Sequence, residues 1–186
     1  NLTKPVGPYY TKEEAQKIMQ ETGAVFKEDA RGRGWRKVVA SPYPLSVQNA
    51  NIVESLVRSG NIVIAVGGGG IPVCRDENNN IHGVEAVIDK DLASSLLART
   101  INADEFYILT DVPKVCINFN TPEEQTIDKM TVAEAKKHFE DGQFAPGSMG
   151  PKVRAAIEYV EATGKEAIIT SIDTLGKENS GTKIVL

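Results

Sequence analysis

Residues 61–91 constrain the fold more than any other stretch. They read N-I-V-I-A-V-G-G-G-G-I-P-V, pass through a polar excursion, and end G-V-E-A-V-I-D-K-D. Residues 62–66 form a short apolar run, β-branched except at Ala65, which predicts a buried strand. Four glycines, Gly67, Gly68, Gly69 and Gly70, follow at once. Glycine tolerates positive φ and lets another group approach the backbone closely. A strand ending in consecutive glycines can bring main-chain N–H groups up to a phosphate. The same glycines serve a tight turn with no ligand equally well. The distinction rests on what lies downstream, at Lys90 and Asp91.

Helix and strand signals alternate around this stretch. Residues 1–10, with Pro5 and Pro8, read as an extended loop. Thr11, with Glu14 three residues on, predicts a capping box opening a helix that Gly23 ends, with Ala15, Ile18 and Met19 on its apolar face. Segments 24–27 and 36–40 predict strands flanking a glycine-rich loop that carries Arg31, Arg33 and Trp35. That loop is a solvated hairpin tip, or a lid whose arginines reach an anionic substrate. Glu28 and Asp29 beside it oppose contact with RNA. Residues 47–59 predict a helix closed by Gly60. Segments 73–75 and 81–83 predict a hairpin across residues 77–80.

Further on, Asp91 is expected to cap a helix running to about residue 102, and 106–109 a buried strand ending in Thr110 and Asp111. Thr131 and Ser148 are expected to cap two more helices. The second turns Val153, Ala156, Ile157 and Val160 inward and stops at Gly164. Strands follow at 167–170 and 182–185. This alternation implies an α/β sandwich with a mainly parallel sheet. Ligands in such folds sit at the carboxyl ends of strands, where the four glycines, Thr110 with Asp111, and Thr170 with Ser171 all fall.

Composition narrows the partners. The 186 residues carry a net charge of -4 with a pI near 5.3, so no global field favours nucleic acid or an anionic membrane. No apolar run approaches the ~20 residues that span a bilayer. Cys74 and Cys116 lack metal-ligand spacing, and two unpaired, buried thiols suit a reducing cytoplasm. The P-loop signature is absent, since Gly164-Lys165 precedes Glu166 and closes a helix. Pro72 stands where a dinucleotide fingerprint wants glycine or alanine. His82 and His138 sit in polar surroundings and read as surface residues, so neither a Ser-His-Asp triad nor a zinc set is expected.

Two lysines stand out electrostatically. Lys90 immediately precedes one predicted helix and Lys152 lies in the first turn of another. A cation there opposes the helix dipole by roughly 0.3–1 kcal/mol. Either lysine alone reads as an exposed residue that tolerates this small penalty. Two such lysines beside strand-end loops suggest a bound anion that reverses the sign. Asp91 would then hold the lysines or face a metal, or it is an ordinary N-cap.

The segments G-G-G-G-I-P-V, G-V-E-A-V-I-D-K-D, L-T-D-V, C-I-N-F and F-A-P-G-S-M-G-P-K, in this order, resemble carbamate kinases of the amino-acid kinase superfamily. T-K-P-V-G-P, K-E-D-A with G-R-G-W-R-K-V-V, and T-S-I-D-T-L extend the resemblance over essentially the whole chain. It implies a three-layer αβα sandwich of the amino-acid kinase fold with a small protruding lid subdomain at 1–44 and a nucleotide-binding lobe at 45–186. It also implies that an amino-terminal half, with its own glycine loops for carbamate and phosphate, belongs before Asn1. The absence of an initial Met agrees with that expectation.

The implied reaction is reversible phosphoryl transfer between ATP and carbamate, giving ADP and carbamoyl phosphate, with Mg²⁺, in a cytoplasmic homodimer of arginine fermentation. Carried over by motif, Lys90 contacts the transferring phosphoryl group and Asp91 orients the lysines or the magnesium ion. Lys152 neutralises nucleotide phosphates, and Lys4 reaches the phosphate from the lid. Phe119 and Met149 line the adenine pocket, with Thr110 and Asp111 near the nucleotide. Two departures are visible. Arg31 is one extra residue in the lid hairpin, and Ala40 stands where the family usually has proline. A non-catalytic nucleotide-binding half-protein, or a superfamily member with another acceptor, are the alternatives.

Overall fold

The computed structural model describes residues 2–29 and 32–186; Arg31 lies outside them. The chain forms two compact units, Asn1–Tyr43 with Gly68–Asp89, and Pro44–Gly67 with Lys90–Leu186. The chain passes from one unit to the other after Tyr43, after Gly67 and after Asp89.

The first unit holds β1 (Leu2–Tyr10), α1 (Lys12–Thr22), β2 (Phe26–Glu28), β3 (Trp35–Ala40) and the hairpin β4 (Val73–Arg75) with β5 (Ile81–Gly83). Residues 2–10 are a strand, not the expected loop. They form the edge of an antiparallel sheet ordered β1-β3-β2, where a proline without an N–H is tolerated. Pro5 pairs opposite Val38, and a register shift between Val6 and Tyr10 absorbs Pro8. Helix α1 starts as expected. Glu14 N donates to Thr11 Oγ1 at 3.2 Å, Thr11 N donates to Glu14 Oε2 at 2.8 Å, and Gly23 closes the helix at φ 71°. The expected hairpin forms, its tip tied by the Asp76 carboxylate, which accepts from the backbones of Asn78 and Asn80. His82 Nε2 lies 2.8 Å from the same carboxylate and, with those bonds, holds Asp76 below the usual carboxylate range. Cys74 is exposed on β4, and Cys116 is half-buried. Neither is the fully buried thiol expected, because β4 is a solvent-facing two-stranded ribbon.

The second unit holds α2 (Ala50–Arg58), α3 (Lys90–Thr100), β6 (Phe106–Thr110), β7 (Val115–Ile117), β8 (Gln125–Ile127), β9 (Lys129–Thr131), α4 (Val132–Glu140), α5 (Met149–Thr163), β10 (Ala167–Ser171) and β11 (Thr182–Val185). Its main sheet is ordered β6-β10-β11-β9. The β6–β10 and β11–β9 pairings are parallel, and β10–β11 is antiparallel. Helices α3, α5 and α4 pack side by side over it. Helix α5 turns Val153, Ala156, Ile157 and Val160 into the core as expected, where they meet Phe106 and Ile169. The hairpin β7–β8 and strand β9 were not expected, because three-residue strands leave too short a periodicity to read.

Residues 62–66, expected as a buried strand, form no strand and pair with none among the described residues. Ile62 is 100% exposed and Ile64 96%. A β-branched run specifies extended backbone; only a neighbouring strand turns it into sheet.

Thr131 caps α4 as expected and completes a capping box with Glu134. The Thr131 N–H, then its hydroxyl, hold the Glu134 carboxyl below its ordinary range. That contribution is present at neutral pH and is lost on acidification through the lowered pKa. Thr131→Ala is expected to lower the melting temperature by about 3 °C, read by calorimetry at pH 7. Part of that difference disappears in acid.

Candidate active site

Helix α3 begins at Lys90, earlier than a cap at Asp91 would allow, so Asp91 sits inside the first turn and is not the cap. A carboxylate there is stabilised by the positive end of the helix. Helix α5 starts at Met149, directly after Ser148, as expected. Ser148 holds the cap position at φ -124° and ψ -97°, and its side chain makes no capping bond. Lys152 therefore enters the first turn of α5 without an acidic residue on its own helix turn to offset it.

The offset comes from the neighbouring helix. Small residues let α3 and α5 approach closely, and the buried Ser95 hydroxyl donates to Ala155 O at 2.7 Å. This crossing sets Asp91 against Lys152. Lys152 Nζ donates to Asp91 Oδ2 at 3.0 Å, with the two side chains only 10% and 9% exposed. Lys90 Nζ lies 3.7 Å from the same oxygen, but its side chain is 59% exposed. One carboxylate oxygen thus lies between two ammonium groups, one packed inside and one reaching solvent. The three groups carry one net positive charge, which suits a polyphosphate more than a neutral ligand.

Lys4 belongs to the other unit. Its ammonium donates to Asp89 Oδ2 at 2.7 Å, and Asp89 is buried. Sequence reasoning gave Asp89 no role, although its signal was present: it is the first acid of I-D-K-D. The glycine run is divided, with Gly67 ending one segment and Gly68, Gly69 and Gly70 opening the other. Gly69 has φ +122°, and a Cβ there would stand 2.0 Å from Ile88 O. This close approach is why glycine is required at 69. Val66, a β-branched residue, is held at φ +51° immediately before the run.

At the carboxyl end of the parallel pair, Thr110 of β6 stands beside Ser171 of β10. Thr110 Oγ1 donates to Asp111 Oδ1 at 3.1 Å. The hydroxyls of Thr170 and Ser171 lie 2.9 and 2.8 Å from Thr174 Oγ1. Phe119 follows β7 in a loop and is 56% exposed, while Met149 packs against the core at the start of α5. Asn118 and Gln143, both missed from sequence, bond to each other beside Phe119. Among the described residues, no group of three or more His, Cys, Asp or Glu side chains is arranged to hold a metal. No helix among them is long and apolar enough to cross a membrane.

Hydroxyls at the strand ends, with two lysines gathered on one aspartate at two helix starts, suit a phosphorylated ligand. Residues 14–171 match the amino acid kinase family, and the chain belongs to it. Its relatives are more particular. The chain is 52% identical to carbamate kinase 1 of Enterococcus faecium over 186 residues and 50% identical to the carbamate kinase of Trichomonas vaginalis over 189. Both comparisons cover all of this chain but 58% and 60% of those proteins. The carbamate kinase of Giardia lamblia solved with AMP-PNP superposes with a TM-score of 0.88 at 49% identity, over 100% of this chain and 59% of that one. The chain therefore spans about three fifths of the relatives it matches.

Proposed function

We propose that the full-length protein is a carbamate kinase, which transfers a phosphoryl group reversibly between ATP and carbamate to give ADP and carbamoyl phosphate. One observation carries the reading: a single Asp91 oxygen holds the buried Lys152 and the exposed Lys90. In the synthetic direction a carbamate oxygen forms a bond to the γ-phosphorus, and the bond from that phosphorus to the bridging oxygen of ADP breaks. Carbamate is already an anion, so no proton is removed and the total charge does not change. Such a reaction asks for positioning and for positive charge around the moving phosphoryl group, not for a general base. That demand matches lysines with no catalytic histidine.

Lys90, with its side chain 59% exposed, meets the transferring group. Lys152 is buried and fixed, and neutralises the nucleotide phosphates; Asp91 orients both. Lys4, held on Asp89, is assigned to the phosphate by its T-K-P motif. Gly67 to Gly70 supply backbone N–H groups, Thr110 and Asp111 lie near the nucleotide, and Phe119 with Met149 flank the adenine. Mg²⁺ enters as part of the nucleotide substrate. The protein works in the cytoplasm as a homodimer, and its flux runs towards ATP in arginine breakdown.

The test mixes the full-length gene product with ADP, Mg²⁺ and carbamoyl phosphate and follows ATP by a coupled luminescence assay. ATP formation is expected. Binding of ADP without turnover would instead favour a non-catalytic nucleotide-binding protein, and transfer to a different acceptor another branch of the family. Lys90→Ala is expected to lower kcat by at least about a hundredfold, with the melting temperature unchanged because the ammonium is largely solvated. Near-normal turnover in that variant removes Lys90 from its role.

A further inference from the structure

Asn118, directly after β7, has a left-handed backbone, φ +52°, and Asn120 adopts φ +61° two residues on. Between them Phe119 points its ring outward. Asparagine tolerates this region better than other residues with a side chain, but the conformation still has to be held.

The hydrogen bonds around Asn118 do so. Its N–H donates to Gln143 Oε1 at 2.7 Å, and its Oδ1 accepts from Gln143 Nε2 at 3.3 Å. Its Nδ2 donates to Glu123 O at 3.3 Å, and its carbonyl accepts from the Thr121 hydroxyl at 2.8 Å. Thr121 and Glu123 lie within the same loop, so they shape it without anchoring it. Gln143 is 25 residues away, in the segment that follows α4 and leads into α5. That segment is itself fixed. Gln143 N donates to His138 O at 3.0 Å, and the next residue, Phe144, is buried in the core.

We propose that Gln143 is a positioning residue for the nucleotide base: its paired bonds to Asn118 hold the exposed Phe119 ring as a preformed stacking surface tied to the start of α5. The inference rests on the reading that Phe119 and Met149 flank the adenine. Phe119, a residue 56% exposed and carried on a loop, would lose conformational freedom when a base stacks on it. Fixing the loop beforehand removes that cost from binding. The phosphoryl-transfer groups are on α3 and α5, so loosening the loop changes affinity for the nucleotide more than the chemical step.

Gln143→Met keeps the length and volume of the side chain and removes both bonds. In the full-length protein it is expected to raise the KM for ADP about tenfold, with kcat within about twofold of the parent. Gln143→Glu, which retains an oxygen for the Asn118 N–H, is expected to recover most of the loss. Combining Gln143→Met with Phe119→Ala should be no worse than Phe119→Ala alone, since both act through one ring. A merely structural role would lower kcat and melting temperature together and would add to Phe119→Ala. The same ordering is read as Kd for ADP by titration calorimetry, so a protein that binds nucleotide without turnover still decides the question. If Phe119→Ala weakens ADP and Gln143→Met does not, the positioning role is overturned and the adenine reading survives. If Phe119→Ala is silent, both fall together.

Discussion

Asp91→Ala is expected to lower the melting temperature by on the order of 10 °C and to abolish measurable phosphoryl transfer. The carboxylate is the partner of Lys152, whose side chain is only 10% exposed, at 3.0 Å. Removing one member of a buried pair leaves an uncompensated charge, at about 3–5 kcal/mol. It also leaves two lysines at helix starts with nothing to offset them, so they repel each other and the helix dipoles. Lys152→Met separates stability from chemistry. It removes the buried cation together with the need for its partner, and Asp91 keeps Lys90 within 3.7 Å. That variant should stay within a few degrees of the parent and lose at least about a hundredfold in kcat. Calorimetry and the ATP-forming assay on the same preparations decide the matter. An Asp91→Ala protein as stable and active as the parent would mean the pair has no such role.

The second large effect is expected at Gly69. An added Cβ would stand 2.0 Å from Ile88 O and 2.8 Å from its carbonyl carbon, both backbone atoms that no side-chain rotation can clear. The residue also has φ +122°, which L side chains rarely adopt. Gly69→Ala must therefore move the 68–70 turn away from residue 88, next to the buried Asp89 that holds Lys4. We expect a loss of about 3 kcal/mol in stability and a rise in the nucleotide KM of about tenfold or more. Gly68→Ala is the matched control, because nothing lies within 4 Å of its added Cβ and its φ is outside the strained range. Gly68→Ala should melt within about 1 °C of the parent. Equal melting temperatures for the two variants would show that the close approach to Ile88 is not rigid.

Local signals transmitted well wherever the physics is local. Thr11 and Thr131 were legible as caps because a hydroxyl three residues before an acid satisfies orphan N–H groups within one turn. The inward face of α5 was legible because a fifteen-residue helix repeats its pattern several times. Residues 2–10 and 62–66 depart from expectation in opposite directions for one reason. Whether a β-prone segment becomes sheet depends on a partner strand: β1 finds β3, and 62–66 finds none among the described residues. Asp91 is not a cap because the start of α3 shifts under tertiary packing, whereas Ser148 does hold the cap position of α5 but makes no side-chain capping bond.

The site divides the same way. Lys90, Asp91 and Lys152 could be singled out from their places relative to helix starts, since a cation in that position conflicts with the dipole. That Asp91 answers Lys152 across 61 residues, and that Lys4 answers Asp89 across 85, could not be read. Nor could the Gln143 bond to Asn118. The amino-acid sequence alone determined the α/β class, the helix caps, the glycine turn and the surplus of positive charge near helix starts, all effects that act within a few residues. Only the packed structure decided which acid neutralises which lysine, which ammonium remains in water and which glycine has no room for a side chain. Charge pairing and steric fit depend on distances between segments far apart in the chain, and those distances exist only once α3, α5 and the sheet have packed.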